Sequence, residues 1–110
     1  MLLDFQKIEE VLTLHARGGE KSVTFRTYQD EKNKIVIGRL VPGASIGYHK
    51  HETNSETLYV LEGQGKMIVE NGEERLQKGS CHYCPQGASH SLVNDSNEDL
   101  IFFAVVPEHM

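Results

Sequence analysis

The chain has 110 residues, room for one domain spanning 1–110, and sets 11 Lys and Arg against 16 Asp and Glu for a formal net charge of −5. Its basic residues are scattered among acidic ones, which excludes nucleic acid as a partner, because phosphate binding needs clustered Lys and Arg. No run approaches the roughly 18 apolar residues of a membrane span, and the opening Met-Leu-Leu-Asp-Phe-Gln has neither a basic start nor a cleavage site, so a soluble, cytoplasmic protein with no membrane partner is expected.

Residues 4–14 carry Phe5, Ile8, Val11 and Leu12 at a helix-like spacing. Asp4 can cap this segment and Gly18-Gly19 would stop it, so the spacing predicts a helix of two or three turns at most. After Gly19 the texture changes to β-branched and aromatic runs at 23–28, 35–41, 56–61, 66–70, 73–76, 81–84, 90–94 and 100–106. Asn71-Gly72, between two of these runs, is a two-residue hairpin signal, since both residues tolerate positive φ. Eight or so short strands divided by Gly, Pro and Asn turns predict an all-β sandwich or barrel, with its core over about residues 22–107.

Residues 100–106 read Leu-Ile-Phe-Phe-Ala-Val-Val, apolar at every position. A strand with one wet face alternates, so this one is expected to be covered on both sides. One face meets the barrel interior; the other calls for a second sheet or a second subunit. A domain of this size has modest stability in reserve, and a homodimer is the expected solution.

Cys81 and Cys84 stand as Cys-His-Tyr-Cys, a spacing that suggests half a zinc clip or a redox pair. No second pair completes a clip and no helix start follows. In a strand the two side chains also point to opposite faces. Two reduced, mostly buried thiols are expected.

Three of the six histidines form a pattern. His49 and His51 are separated by one residue, which in a strand puts both imidazoles on one face as a ready pair of metal ligands. Glu56 follows a short loop, residues 52–55, able to bring a carboxylate from the next strand beside them. His90 arrives from a strand far away in sequence. Tyr48 and Glu52 alternate away from this face. Of His82 and Tyr83 one must point inward, and an inward Tyr83 can bind or protonate a substrate. His15 and His109, near the termini, are expected in solvent.

The stretch Gly43-Ala-Ser-Ile-Gly-Tyr-His49-Lys-His51-Glu-Thr-Asn-Ser-Glu56-Thr-Leu-Tyr-Val-Leu-Glu-Gly63 resembles the first motif of the cupin superfamily. The stretch Gly79-Ser-Cys-His-Tyr-Cys-Pro85-Gln-Gly87-Ala-Ser-His90-Ser-Leu-Val-Asn94 resembles the second. Fifteen residues lie between them, as in compact microbial cupins. One departure is Ser80, a turn position where many members have Asp. The resemblance implies a jelly-roll β-barrel with one divalent transition-metal ion on His49, His51, Glu56 and His90. Three imidazoles and a carboxylate suit Mn, Fe, Ni, Co, Cu or Zn, and leave positions on a six-coordinate ion open to ligand. Gly43, Gly63, Pro85, Gly87 and Asn94 are read as turn residues.

Cupins host isomerases, decarboxylases, dioxygenases, hydrolases and non-catalytic binders, so fold alone leaves function open. The stretch from Pro42 to His51 is most similar to small bacterial cupins described as oxalate-decarboxylase-like. The expectation is a metal-dependent enzyme acting on a small oxygen-rich molecule such as a carboxylate, diketone or sugar derivative, with Glu56 as the group able to accept a proton. The alternative is a non-catalytic module that binds a small ligand or the metal.

Overall fold

The structure, a computed structural model, describes residues 1–109. Its strands are β1 Val11–Leu14, β2 Ser22–Gln29, β3 Asn33–Leu40, β4 His49–Lys50, β5 Glu56–Glu62, β6 Gln64–Val69, β7 Gly72–Gln77, β8 Cys81–Cys84, β9 Ser89–Val93 and β10 Leu100–Pro107. They form a six-stranded sheet ordered β1-β2-β3-β10-β5-β8 and a four-stranded sheet ordered β4-β9-β6-β7. The pairings are antiparallel, as the all-β barrel expectation requires. No helix among the described residues is long and apolar enough to cross a membrane.

The apolar run 100–106 is explained by its place. β10 lies inside the large sheet, paired from Leu100↔Leu40 to Pro107↔Asn33 with β3 and from Ile101↔Glu62 to Val105↔Thr57 with β5. Leu100, Phe102, Ala104 and Val106 are buried on the core face, while Ile101, Phe103 and Val105 are half-buried on the outer face. Part of the outer cover comes from the chain itself. The Phe5 ring meets Phe103 edge-on with centroids 6.2 Å apart, and the Arg26 guanidinium donates to the carbonyls of Phe5 and Ile8.

Residues 4–14 depart from the helix expected of them. Asp4 does cap, its Oδ1 accepting from the Gln6 N–H at 3.1 Å. Only a 3₁₀ turn, Phe5–Lys7, follows, and Val11–Leu14 instead pairs with β2 from Val11↔Phe25 to Leu14↔Ser22. A helix so short has little stability of its own in water, whereas this path gives β1 a ladder and Phe5 an aromatic neighbour. The β6–β7 hairpin is also shifted by one residue. Val69 faces Gly72, so the turn residues are Glu70 and Asn71 rather than Asn71-Gly72. Gly72 takes φ of 145° at the first position of β7, leaving its neighbours in ordinary backbone regions.

Between the sheets lie Val23, Val36, Leu40, Leu58, Val60, Leu100 and Phe102 from one side and Met67, Leu76 and Leu92 from the other. Each such side chain stabilises the fold by about 1.5–3 kcal/mol when fully buried. Gly38 is part of this packing: a β-carbon there would stand 2.4 Å from the Phe102 ring, which lies across β3 opposite it. Asn94 is fully buried and braces the turn that follows it, as expected. Its Nδ2 donates to the carbonyls of Leu40 at 2.9 Å and Glu98 at 2.7 Å, and its Oδ1 accepts from the Ser96 N–H and hydroxyl. The two free cysteines face opposite sides of β8; Cys84 is buried, but Cys81 is exposed, so only one thiol lies in the interior.

Candidate metal centre

His49 opens β4 and stands in register with His90 on β9. Beyond the strand the pairing continues, with His51 N–H donating to the Ala88 carbonyl at 3.0 Å and Gly87 N–H donating to the His51 carbonyl at 2.7 Å. That extended path keeps His49 and His51 on one face. Glu56 opens β5 in the opposite sheet. The loop between them is pinned to the end of β10, with Thr53 Oγ1 and Asn54 Nδ2 both donating to the Glu108 carboxylate. Three imidazoles from one sheet therefore meet one carboxylate from the other.

Nε2 of His51 and Nε2 of His90 are 3.0 Å apart, and each lies 3.1 Å from Oε1 of Glu56. Ligand atoms of His49, His51, Glu56 and His90 all fall within 4.8 Å of one another. The far side of each ring is engaged. His49 Nδ1 donates to the Gly47 carbonyl at 2.7 Å. His51 Nδ1 donates at 2.6 Å to Asn54 Oδ1, an amide oriented by its own bond to Glu108. His82 Nδ1 donates to Glu74 Oε1 at 2.7 Å, which leaves His82 Nε2 to accept from His90 Nδ1 at 3.0 Å. With all three Nδ1 atoms carrying protons, three Nε2 lone pairs converge beside a carboxylate. Acceptors this close repel unless a proton or cation lies among them. A divalent cation held by His49, His51, Glu56 and His90 would relieve that repulsion. The donor set fits a divalent transition-metal ion.

A family model described as a cupin domain matches residues 36–106. The chain belongs to the cupin family. An oxalate-binding protein of Thermotoga maritima is 41% identical over 69 residues, which cover 62% of this chain and 56% of that protein, so the match spans little more than half of the relative. An uncharacterised protein of Methanocaldococcus jannaschii is 27% identical over 97 residues, 88% of this chain and 78% of that one. The crystal structure of a Thermotoga maritima protein described as a predicted oxalate decarboxylase aligns with a TM-score of 0.92 at 29% identity, covering 98% of this cupin and 99% of its counterpart.

The electrostatics of this cupin's centre follow from burial and proximity. Burial pushes the Glu56 carboxyl up, but hydrogen bonds from His51 and His90 outweigh it and hold the group well below the usual carboxylate range. The hydrogen bond to Glu56 raises His51 against its burial. Burial lowers His49, with the charges of His90, Arg17 and His51 adding to the effect against its bond to Gly47. His82, Cys84 and His90 also bring ligand atoms within 4.8 Å of one another. Burial, with the carboxylates of Glu56, Glu70 and Glu74 beside it, pushes the Cys84 thiol up to about 11, and its sulfur is turned toward the Ala88 carbonyl. It is a wall residue of the first cluster.

His49, His51 and Glu56 line one side of a cavity of about 350 Å³ whose apolar wall includes Phe25, Val36 and Phe102. Of the residues singled out in the sequence, His49, His51, Glu56 and His90 are brought together. Tyr83 is not. Leu58 faces His82 and Thr57 faces Tyr83 across β5 and β8, so His82 takes the inward place and Tyr83 is 60% exposed on the outer face. Tyr48 and Glu52 point outward as expected, and His15 and His109 are exposed. Sequence reasoning missed Asn54 and Glu74, which engage His51 and His82. For Asn54 the signal was present: an amide three residues after a ligand histidine can close a turn onto its ring.

Proposed function

We propose that this cupin holds one divalent transition-metal ion, among Mn, Fe, Ni, Co, Cu and Zn, through His49, His51, Glu56 and His90. We read it as a metal-dependent enzyme acting on a small oxygen-rich molecule, a carboxylate, diketone or sugar derivative, by decarboxylase- or dioxygenase-like chemistry. The observation that carries this reading is the convergence of three Nε2 lone pairs and the Glu56 carboxylate beside a cavity of about 350 Å³. A bound ion supplies Lewis acidity toward a carbonyl or carboxylate oxygen. The chain supplies the rest. Gly47, Asn54 and His82 hold the three rings; Glu56 offsets positive charge and is the carboxylate of the cavity wall that can take up a proton; Phe25, Val36 and Phe102 give the cavity apolar lining. Similarity to an oxalate-binding protein supports a carboxylate as the ligand class.

A second reading, a non-catalytic module for a small ligand or metal, is favoured by the outward Tyr83, which leaves Glu56 without a second acid–base side chain of the kind expected there. In either reading the chain acts as a single domain over 1–110, with its barrel core at about 22–107, in a cytoplasmic homodimer.

Elemental analysis of the purified protein tests the metal reading, with an expectation of about one ion per chain. His49→Ala and His90→Ala lose the ion and His15→Ala keeps it. Protein that takes up none of the six metals overturns the reading. Turnover of a panel of small acids, diketones and sugar derivatives, with and without oxygen, separates enzyme from binder.

A further inference from the structure

The cavity carries a charge pattern that the four metal-facing residues do not use. In a chain of net charge −5, its lining includes two cations, Arg17 and Lys34, and a single carboxylate, Glu56. That carboxylate is already committed to His51 and His90. Among the described residues, Arg26, Arg39 and Arg75 each pair with a carboxylate, and neither Arg17 nor Lys34 does. The two cations come from different elements, Arg17 from the turn after β1 and Lys34 from β3 opposite Gln29.

Arg17 is held in place by backbone. It sits at φ 54°, ψ 28°, a left-handed conformation that disfavours a residue with a side chain. The segment around it is locked to the strand leading into the histidines: Gly47 N–H donates to the Ala16 carbonyl at 2.9 Å, and Ser45 N–H donates to the Glu20 carbonyl at 3.0 Å. A β-carbon at Gly47 would stand 2.0 Å from the Arg17 carbonyl oxygen. Only glycine at 47 lets the turn approach, and the turn brings Arg17 to the cavity that His49 and His51 line.

We propose that Arg17 and Lys34 form an anion-recognition subsite, and that the ligand of this cavity is a small organic dianion. One acidic end lies at the metal centre and a second carboxylate lies on Arg17 and Lys34. The proposal rests on the metal-centre reading and narrows it from oxygen-rich molecules to dicarboxylates. Room supports the assignment, since about 350 Å³ exceeds what a two-carbon acid fills, and Phe25, Val36 and Phe102 offer an apolar wall to a carbon spacer. A guanidinium is suited to the far end because its fork matches a carboxylate with two parallel hydrogen bonds.

The test is calorimetry on the cobalt-loaded full chain, with pyruvate, oxaloacetate and 2-oxoglutarate as probes and the cobalt absorption spectrum recorded in parallel. These acids share a metal-binding head and differ in the second carboxylate. At least one dicarboxylate binds tenfold or more tightly than pyruvate. Arg17→Met and Lys34→Met together abolish that preference, with cobalt content and melting temperature retained, and Arg17→Lys restores part of it. Equal affinity for all three acids overturns the subsite, as does a preference that survives the double substitution. If a dicarboxylate binds in an Arg17-dependent way without changing the cobalt spectrum, the subsite stands and ligand contact with the metal falls. If the spectrum is half-changed at the same concentration of pyruvate and of the dicarboxylates, the metal reading stands and the subsite falls. Absence of binding by any probe overturns the subsite, and elemental analysis reports separately on the metal centre.

Discussion

Nε2 of His82 lies 3.0 Å from Nδ1 of His90, with the two rings inclined by only 27°. Because His82 gives its own Nδ1 proton to Glu74, it can meet His90 only as an acceptor. The contact fixes the His90 tautomer and aims its Nε2 at Glu56 and His51. Partners of this kind are worth about 10–100-fold in metal affinity. His82→Ala is therefore expected to weaken metal binding by about that factor, and His82→Gln to recover part of it, since an amide oxygen still accepts. Glu74→Gln acts more weakly, because Glu74 is half exposed. Competition against a chromophoric chelator measures all three. Unchanged affinity in His82→Ala would show that His90 needs no support from β8.

Protons and metal compete for the same lone pairs, which sets a pH signature. His51 is raised above 6.5 by Glu56, so the stability it lends the metal-free protein is fully present below 6.5 and is lost as pH rises through the raised value. Glu56 is lowered from 4.5, so its contribution is present above 4.5 and is lost only as pH falls through the lowered value. His49, lowered by burial, acts the other way as pH rises to 6.5, so the melting temperature of chelator-treated protein is expected to decline from about pH 7 to pH 8.5. With saturating zinc the trend inverts over that range, because coordination requires neutral imidazoles. A metal-free protein that gains stability from about pH 7 to pH 8.5 would contradict the assignment.

The clustering of His49, His51 and Glu56 was legible because it depends on local rules, i, i+2 parity and a short loop, whereas His90, far along the chain, was legible through the second motif. Two features were legible only as alternatives. Strand parity demanded that one of His82 and Tyr83 face inward, and the register of β8 against β5 decides for His82. The first segment read as a helix because Phe5, Ile8, Val11 and Leu12 have the right spacing, but their partners, Phe103 and β2, lie far along the chain. Arg17 was invisible for the same reason. Its position depends on Gly47 admitting the turn, a contact between residues thirty apart that no periodicity encodes.

Asn94 ends the second motif, and its burial gives it a measurable weight. Asn94→Ala removes the donor to the Leu40 and Glu98 carbonyls and the acceptor for Ser96. An unsatisfied buried group costs about 1–3 kcal/mol, so a loss of about 2–4 kcal/mol is expected in urea unfolding. None of these bonds reaches the four proposed ligands, and metal content at saturating ion should be retained. A loss below about 0.5 kcal/mol would mean that solvent replaces these bonds freely.

The expected homodimer now has a specific surface to answer for. Phe5 already covers Phe103, so the outer face of β10 does not by itself require a partner. The edge of the same sheet is different. β1 pairs with β2 on one side only, and Val11, Leu12 and Leu14 are 52%, 60% and 66% exposed. An apolar edge strand with unpaired backbone groups is a template for joining another chain, and a two-fold axis would let β1 of two copies cover each other. Light scattering coupled to gel filtration should give twice the 12.4 kDa of the chain. Leu12→Lys and Leu14→Lys place charge on that edge and should shift the protein toward monomer while leaving metal content unchanged, since neither residue lines the cavity. A mass of 12.4 kDa for the unmodified protein at micromolar concentration would show that β1 stays in solvent as an open edge.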